Sequence, residues 1–173
     1  YTIHFIGIYI KDGRKSIVLH ANNVPSYSST VFMLDAETGK RVGGTYWQSG
    51  FIESSILADY NEDGQPDIIV GGTDNGFEEA TLTCISIDKL GGVRPSTPEY
   101  EIRYKPRARL LFSFRFPQTD YLKYYGLRQN GVMPHSIEIL DTYLKFMIHE
   151  NQVIKRLGYS MRYHLKEKYF APF

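Results

Sequence analysis

Apolar residues occur along this chain in short runs that often alternate with polar residues, and Gly, Asp, Asn and Pro separate the runs. Alternation with a period of two is typical of half-buried β-strands, whereas amphipathic helices repeat about every 3.6 residues. The pattern predicts an antiparallel meander of about ten strands. The predicted strands are Ile3 to Ile10, Ser16 to His20, Thr30 to Leu34, Ser54 to Ala58, Asp67 to Gly71, Thr81 to Ile87, Ala108 to Phe116, His135 to Leu140, Thr142 to Ile148 and a late run near Val153 to Leu165.

The breaks between these runs have the chemistry of turns. Gly permits positive φ angles, and the side chains of Asp and Asn can bond to the backbone of a turn. Turns are therefore predicted at Lys11-Asp12-Gly13, Glu37 to Lys40, Asn61 to Pro66 and Asn130-Gly131.

One helix is predicted, from Gln118 to Leu127. Pro117 would stop the preceding strand, and Thr119 or Asp120 would cap the first turn.

A stretch with three prolines, Gly91 to Pro106, is the plausible linker. It separates an acidic segment, around Glu53 to Glu79, from a basic region that begins at Arg103. We therefore expect two regions, residues 1–98 and residues 99–173, the second being β-rich and of uncertain type.

Length and charge limit the classes of partner. The chain has 173 residues, enough for one domain with a packed core, and its formal net charge is +1. A balanced charge gives no global field that would attract nucleic acid, and the sequence has no apolar run long enough to cross a bilayer. We expect neither nucleic-acid binding nor direct membrane insertion. The chain begins at Tyr1 without Met or a signal peptide, so we expect it to be a piece of a longer protein.

The usual catalytic constellations are missing from the sequence. A single cysteine, Cys84, excludes an intramolecular disulfide framework and any zinc site that needs several thiolates. In a strand pattern a lone Cys is usually a small buried hydrophobe. The five histidines do not have zinc-site spacing, and neither a phosphate-binding loop nor a nucleophile elbow is present. The protein is therefore expected not to be an enzyme.

One loop carries distinctive chemistry. Oxygen-bearing side chains occupy positions 1, 3, 5, 7 and 9 of the segment from residue 59 to residue 67, and Gly64 at position 6 permits a sharp turn. Calcium takes about six to eight oxygen ligands, and a loop curled around it turns every second side chain inward. The sequence therefore predicts a calcium site, although an Asx-rich turn without metal would also use these residue types. The candidate ligands are Asp59, Asn61, Asp63 and Asp67 through their side chains and Gln65 through its backbone carbonyl.

An EF-hand does not account for this loop. That motif needs a bidentate Glu at position 12 and helices on both sides, whereas position 12 here is Val70. Apolar runs typical of strands flank the loop on both sides.

The run from Leu57 to Gly71 resembles the FG-GAP repeat (also called VCBS, or integrin-α-like), whose form is a D-x-N-x-D-G-x-x-D loop followed by an apolar strand that ends in Gly. The resemblance implies one blade of a β-propeller, with calcium bound between two strands. Two upstream segments are similar to parts of such blades. Val31 to Lys40 resembles a blade hairpin, and Lys11 to Leu19 resembles a degenerate repeat. The resemblance does not extend to Arg103 and beyond.

The sequence thus predicts an all-β fold, a partial or open β-propeller of antiparallel blades with additional C-terminal strands. The resemblance implies a calcium-binding module of an extracellular, cell-surface or periplasmic protein, with structural calcium and a protein or carbohydrate ligand in adhesion. Open blade edges would invite association. The alternative is a fragment of a quinoprotein-like propeller enzyme, suggested by Leu34 to Lys40 and Trp47.

Overall fold

The computed structural model describes residues 1–23, 28–75, 79–94, 108–116, 130–132, 137–140, 143–151, 156–164 and 170–172. Within these ranges the protein is all-β, with fourteen strands, a single 3-10 turn and no α-helix. The predicted all-β class is therefore confirmed. The predicted helix from Gln118 to Leu127 lies outside the described residues.

The first sheet is an antiparallel meander of four strands that follow one another in sequence. The turn between the first two strands is the predicted Asp-Gly turn. Here φ is 49° at Asp12 and 75° at Gly13, as a two-residue hairpin turn requires. A fifth, very short strand pairs in parallel with the fourth strand of the meander. The strands are β1 (Thr2–Lys11), β2 (Arg14–Asn22), β3 (Ser28–Asp35), β4 (Arg41–Ser49) and β8 (Gly92–Val93).

The second sheet is also an antiparallel meander of four strands. A 3-10 turn, Ile87–Lys89, follows its third strand. The strands are β5 (Ile52–Ala58), β6 (Asp67–Asp74), β7 (Glu79–Ser86) and β9 (Leu110–Phe116).

The third sheet contains the remaining described strands. Strands β10 and β11 both pair with β12, and β13 and β14 follow in antiparallel order. The strands are β10 (Asn130–Val132), β11 (Glu138–Leu140), β12 (Tyr143–Asn151), β13 (Arg156–His164) and β14 (Phe170–Pro172).

One local prediction is wrong, and one strand was not predicted. Asn130-Gly131 is not a turn, because both residues lie in β10 and pair with Glu150 and His149. Strand β4 was not predicted, because Gly43 and Gly44 interrupt its alternation. The β3–β4 register shifts between Val31 and Met33, so that residues 43–45 bulge out of the ladder.

The predicted boundary between residues 98 and 99 falls within the second sheet. Strand β9 lies beyond that boundary, yet it pairs with β7 over Ala80 to Ile85. The division into two regions stays a prediction, since the pairing of one strand does not set the limits of a domain.

The second sheet is covered on both faces. One core cluster joins it to the first sheet: Ile68 and Val70 of β6 pack with Val18 and Val31. The other cluster joins it to the third sheet, where Ile69 packs with residues that include Leu144. Successive side chains of a strand point to opposite faces, so β6 serves both cores and is buried along its whole length.

The opposite side of the first sheet, which we call the outer face, has several large apolar side chains that are exposed. Because Tyr9 and Tyr46 point into the core, their sequence neighbours point outward. The exposed fraction is 58% for Ile10 and 63% for Phe5. The other large exposed side chains of this face are Ile3, Ile8 and Trp47.

A buried ion pair connects the end of β6 to the residue after β8. Arg94 Nη1 lies 2.7 Å from Asp74 Oδ2, and both side chains are almost fully buried. Arg94 Nε also donates to Ser113 Oγ of β9 at 2.8 Å. The guanidinium therefore attaches the segment after β8 to two strands of the second sheet.

Replacing this arginine tests how much the buried ion pair contributes to the stability of the fold. Arg94→Met should lower the free energy of unfolding by about 3 kcal/mol, since it removes one partner of a buried ion pair. Chemical denaturation at neutral pH measures the loss. The matched control is Lys11→Met, which breaks a 2.7 Å ion pair to Asp88 between exposed side chains and should have a far smaller effect. Equal losses in the two variants would contradict the assignment.

Candidate functional site

The predicted calcium loop connects the first two strands of the second sheet. Strand β5 ends at Ala58 and β6 begins at Asp67, and these two residues are the last pair of the ladder. The eight residues between them form the loop, so the predicted placement between strands is confirmed. Helices, which an EF-hand would require, do not flank it.

The acidic side chains of the loop accept hydrogen bonds from its own backbone. The amides of Asp63 and Gly64 donate to the Oδ1 and Oδ2 atoms of Asp59, at 3.1 and 2.8 Å. The Gln65 amide donates to Asp63 Oδ1 at 2.9 Å, and Asn61 Nδ2 donates to Asp63 Oδ2 at 2.8 Å. These bonds curl the backbone around the carboxylates, which brings their oxygens to the inner side of the loop.

Two residues of the loop have left-handed backbone conformations. Gly64 has a φ of 81°, as its proposed position at the sharp turn requires. Glu62 has a φ of 58°, which is uncommon for a residue with a Cβ. The loop's hydrogen bonds hold this conformation against its intrinsic strain.

Asp67 is the buried member of the acidic set, with 2% of its surface exposed. The pKa of its carboxyl is raised to about 6, chiefly by burial and in addition by the negative charges of Asp63 and Asp59. The Tyr60 amide, which donates to Asp67 Oδ2 at 3.2 Å, acts in the opposite direction. The three carboxylates are therefore close enough to repel one another.

The structure brings together four of the five predicted ligands, Asp59, Asn61, Asp63 and Asp67, through hydrogen bonds and electrostatic contacts. The side chain of Gln65 extends away, and its Oε1 lies 3.4 Å from the Tyr9 hydroxyl. In the described part of the chain, no group of three or more His, Cys, Asp or Glu residues has the geometry to hold a metal ion. The calcium site stays a prediction.

Some polar clusters were not predicted from the sequence. Asp88 accepts hydrogen bonds from the Tyr9 hydroxyl at 2.9 Å and from Lys11 Nζ at 2.7 Å. The rings of His4 and His20 stack at 4.5 Å between centroids. Each cluster joins residues of two different secondary-structure elements, so only the three-dimensional arrangement of the elements could have revealed it.

The buried thiol of Cys84 fits the expectation of a small hydrophobe. It lies in the core between the second and third sheets and is fully buried. Burial raises the pKa of the thiol, which disfavours the reactive thiolate. Cys84 is therefore not a candidate nucleophile.

The comparisons with known proteins gave no match: no family model, no curated protein and no solved structure is significantly similar to this chain. Among the residues that the structure describes, none forms a helix with the length and apolar character needed to span a membrane.

Neutralising Asp67 should change how stability depends on pH when calcium is removed by a chelator. The pKa of this carboxyl is about 6 in the folded protein and about 3.9 in an unfolded chain. Its contribution is therefore fully present below about pH 4 and is lost as the pH rises through about 6. Asp67→Asn removes the titration and keeps an acceptor for the Tyr60 amide. Its unfolding free energy relative to wild type should rise by up to about 2 kcal/mol between pH 4 and pH 7.

Denaturation at a series of pH values measures this difference. Glu62→Gln, which removes the same charge from an exposed residue of the same loop, is the control and should show no such rise. If the difference in unfolding free energy between Asp67→Asn and wild type is the same at pH 4 and pH 7, the Asp67 carboxyl does not titrate as expected.

Proposed function

We propose that this chain is a calcium-binding β-propeller module of an extracellular, cell-surface or periplasmic protein, in which calcium has a structural role and the module binds a protein or carbohydrate ligand in adhesion. The observation that carries the proposal is the loop between β5 and β6, with its oxygen-bearing residues in alternate positions and its buried acidic member.

The chemistry of the donor set suits a hard cation. Calcium prefers carboxylate and carbonyl oxygens, and the loop contributes three carboxylates and one amide oxygen in nine residues. Asp59, Asn61, Asp63 and Asp67 would hold the ion through their side chains, and Gln65 through its backbone carbonyl. Each carboxylate can accept an amide hydrogen with one lone pair and still offer another to a cation.

Electrostatics supply the reason for a cation at this place. The raised pKa of Asp67, caused chiefly by burial and also by the charges of Asp63 and Asp59, indicates that its ionised form is disfavoured at neutral pH. A divalent cation would remove that repulsion and make folding depend on the metal. We therefore assign calcium a structural role in pinning the loop.

The propeller proposal is supported by the order of the strands and by the packing of the sheets. Propeller blades are four-stranded sheets that pack around a centre. The first sheet contains four consecutive antiparallel strands with β8 added at one edge, and the second contains four antiparallel strands, β5, β6, β7 and β9, in sequence order. The two sheets pack face to face. The third sheet covers the far side of the second. On this proposal, a further sheet covers the outer face of the first sheet.

The enzyme alternative has less support. It depends on the hairpin before Arg41 and on Trp47, and Trp47 lies on the outer face with 37% of its surface exposed. The calcium-dependent binding module is therefore the function that we propose.

A calcium titration tests the metal site. Isothermal titration calorimetry should show one calcium ion per chain, with a Kd of about 10⁻⁴ to 10⁻³ M as in extracellular modules. With a Kd of about 1 mM, 10 mM calcium should stabilise the protein by about 1.4 kcal/mol. Asp63→Asn should weaken calcium binding at least about tenfold, since it removes one of the charged ligands.

The control for this titration is Glu62→Gln, which removes one negative charge from the same loop at a position outside the ligand set. It should bind calcium nearly as wild type does. If Asp63→Asn lowers the melting temperature equally in calcium and in chelator, or if both variants bind as wild type, the loop is not the calcium site.

Introducing a charged residue on the outer face tests the proposal that another sheet covers this face. An exposed apolar face of this kind should make the isolated chain associate, and Phe5→Lys should reduce that association. Sedimentation velocity at several concentrations measures it. Thr2→Lys, on the same strand but facing the other side of the sheet, is the control. A wild-type chain that stays monomeric at every concentration would count against the covered face.

A further inference from the structure

A cleft of about 580 Å³ opens between the inner side of the first sheet and the 3-10 turn after β7. Its size lies in the range of about 300 to 1,000 Å³ that is usual for ligand sites. The floor is apolar and consists of Met33, Val42, Ile87 and Leu90. These side chains belong to the core between the first and second sheets or pack against it. The cleft is therefore a gap at the edge of a rigid core.

The charges around the opening nearly cancel. The lining includes two cations, Lys11 and Arg14, and three carboxylates. Two of these carboxylates already accept hydrogen bonds: Asp88 from Tyr9 and Lys11, and Asp35 from the Thr38 backbone and hydroxyl. The formal sum is −1, so the opening does not select a strongly anionic group such as a phosphate.

Main-chain groups also line the cleft. Gly43 and Gly44 belong to the bulge of β4, and neither has a Cα partner on β3. Both glycines are exposed. Both line the cleft beside its apolar floor, since the Met33 methyl would be only 3.2 Å from a Cβ added at Gly43 and the Leu90 backbone lies against Gly44. A ligand that fills the floor could therefore bond to backbone groups at the same time.

These features distinguish between classes of ligand. Sugars are commonly held by flat aromatic faces, whereas this floor consists of thioether and aliphatic groups, with Tyr9 as the one aromatic ring in the lining. Methionine is flexible and polarisable, and it is frequent where proteins accept varied apolar side chains. The combination of an apolar floor, a bulged backbone and balanced charge suits a peptide.

We propose that this cleft binds an extended peptide segment of a protein partner, with one uncharged aliphatic side chain seated on the floor and the peptide main chain against Gly43 and Gly44. The inference rests on the proposed function as a binding module, and it assigns that module a protein ligand. Its location is also close to the predicted calcium loop, because the Tyr9 hydroxyl lies between Asp88 and Gln65, at 2.9 and 3.4 Å.

Methyl NMR on the full chain tests the proposal, with ¹³C-methyl methionine as the label. The Met33 signal, assigned with Met33→Leu, lies at the floor of the cleft. The probe is the peptide acetyl-Gly-Leu-Gly-amide, and acetyl-Gly-Ser-Gly-amide is the matched control probe. The Leu peptide should shift the Met33 signal saturably, with an affinity at least about tenfold higher than that of the Ser peptide. A non-saturating shift, or equal shifts with both peptides, would overturn the proposal.

A pair of variants locates the binding. Ser16 lines the cleft, whereas Lys15, its neighbour on β2, points to the outer face together with its partner Ile10. Ser16→Tyr should weaken the Leu peptide at least about tenfold by filling the cleft, and Lys15→Tyr should leave its affinity unchanged. Equal effects of the two substitutions would overturn the location. If Ser16→Tyr fails to fold, the comparison of the two peptides on wild type still decides.

Two further titrations distinguish the proposed peptide site from a sugar site and from the proposed calcium site. Methyl glucoside replaces the peptide in one of them, and a saturable Met33 shift with the sugar alone would overturn the assignment of a peptide. Calcium is titrated into the same sample in the other. Peptide binding without calcium binding would support this inference and refute the calcium site, whereas calcium binding without a saturable peptide shift would overturn this inference alone.

Discussion

The burial of both faces of the second sheet is the constraint on which the rest of the structure depends. Strand β6 is buried along its whole length, and its alternate side chains serve two different cores. A sheet with two apolar faces cannot be stable alone in water, so it requires a sheet on each side. The first sheet has exposed apolar side chains on its outer face, and on the proposed function a further layer covers them.

Because the faces of the second sheet are buried in this stack, the acidic side chains lie in a loop at the ends of its strands. The acidic loop lies at the end where β5 turns into β6, and its last member, Asp67, is the first residue of the buried strand. Burial of that carboxyl beside two others is unfavourable without a cation. On the proposed function, a cation bound at this loop would offset that cost.

Features set by neighbouring residues could be predicted from the sequence, and those set by strand register could not. The Asp12-Gly13 turn and the loop from Asp59 to Asp67 depend on adjacent residues, and the structure has both where they were predicted. Strand β4 was missed because Gly43 and Gly44 hide its alternation. The hydrogen bond between Tyr9 and Asp88 joins residues 79 positions apart, and no local pattern encodes such a distance.

The same distinction explains why the cleft was not predicted. Its floor combines residues of β3 and β4 with residues that follow β7, and each of them individually is an ordinary core residue. At the cleft, the bulge at Gly43 shifts the backbone out of the ladder with β3, and the backbone at Leu90 approaches Gly44 too closely for a Cβ to fit between them. A local irregularity in one strand thus produces a concave surface on an otherwise regular stack of sheets, and Tyr9 connects this surface to the acidic loop.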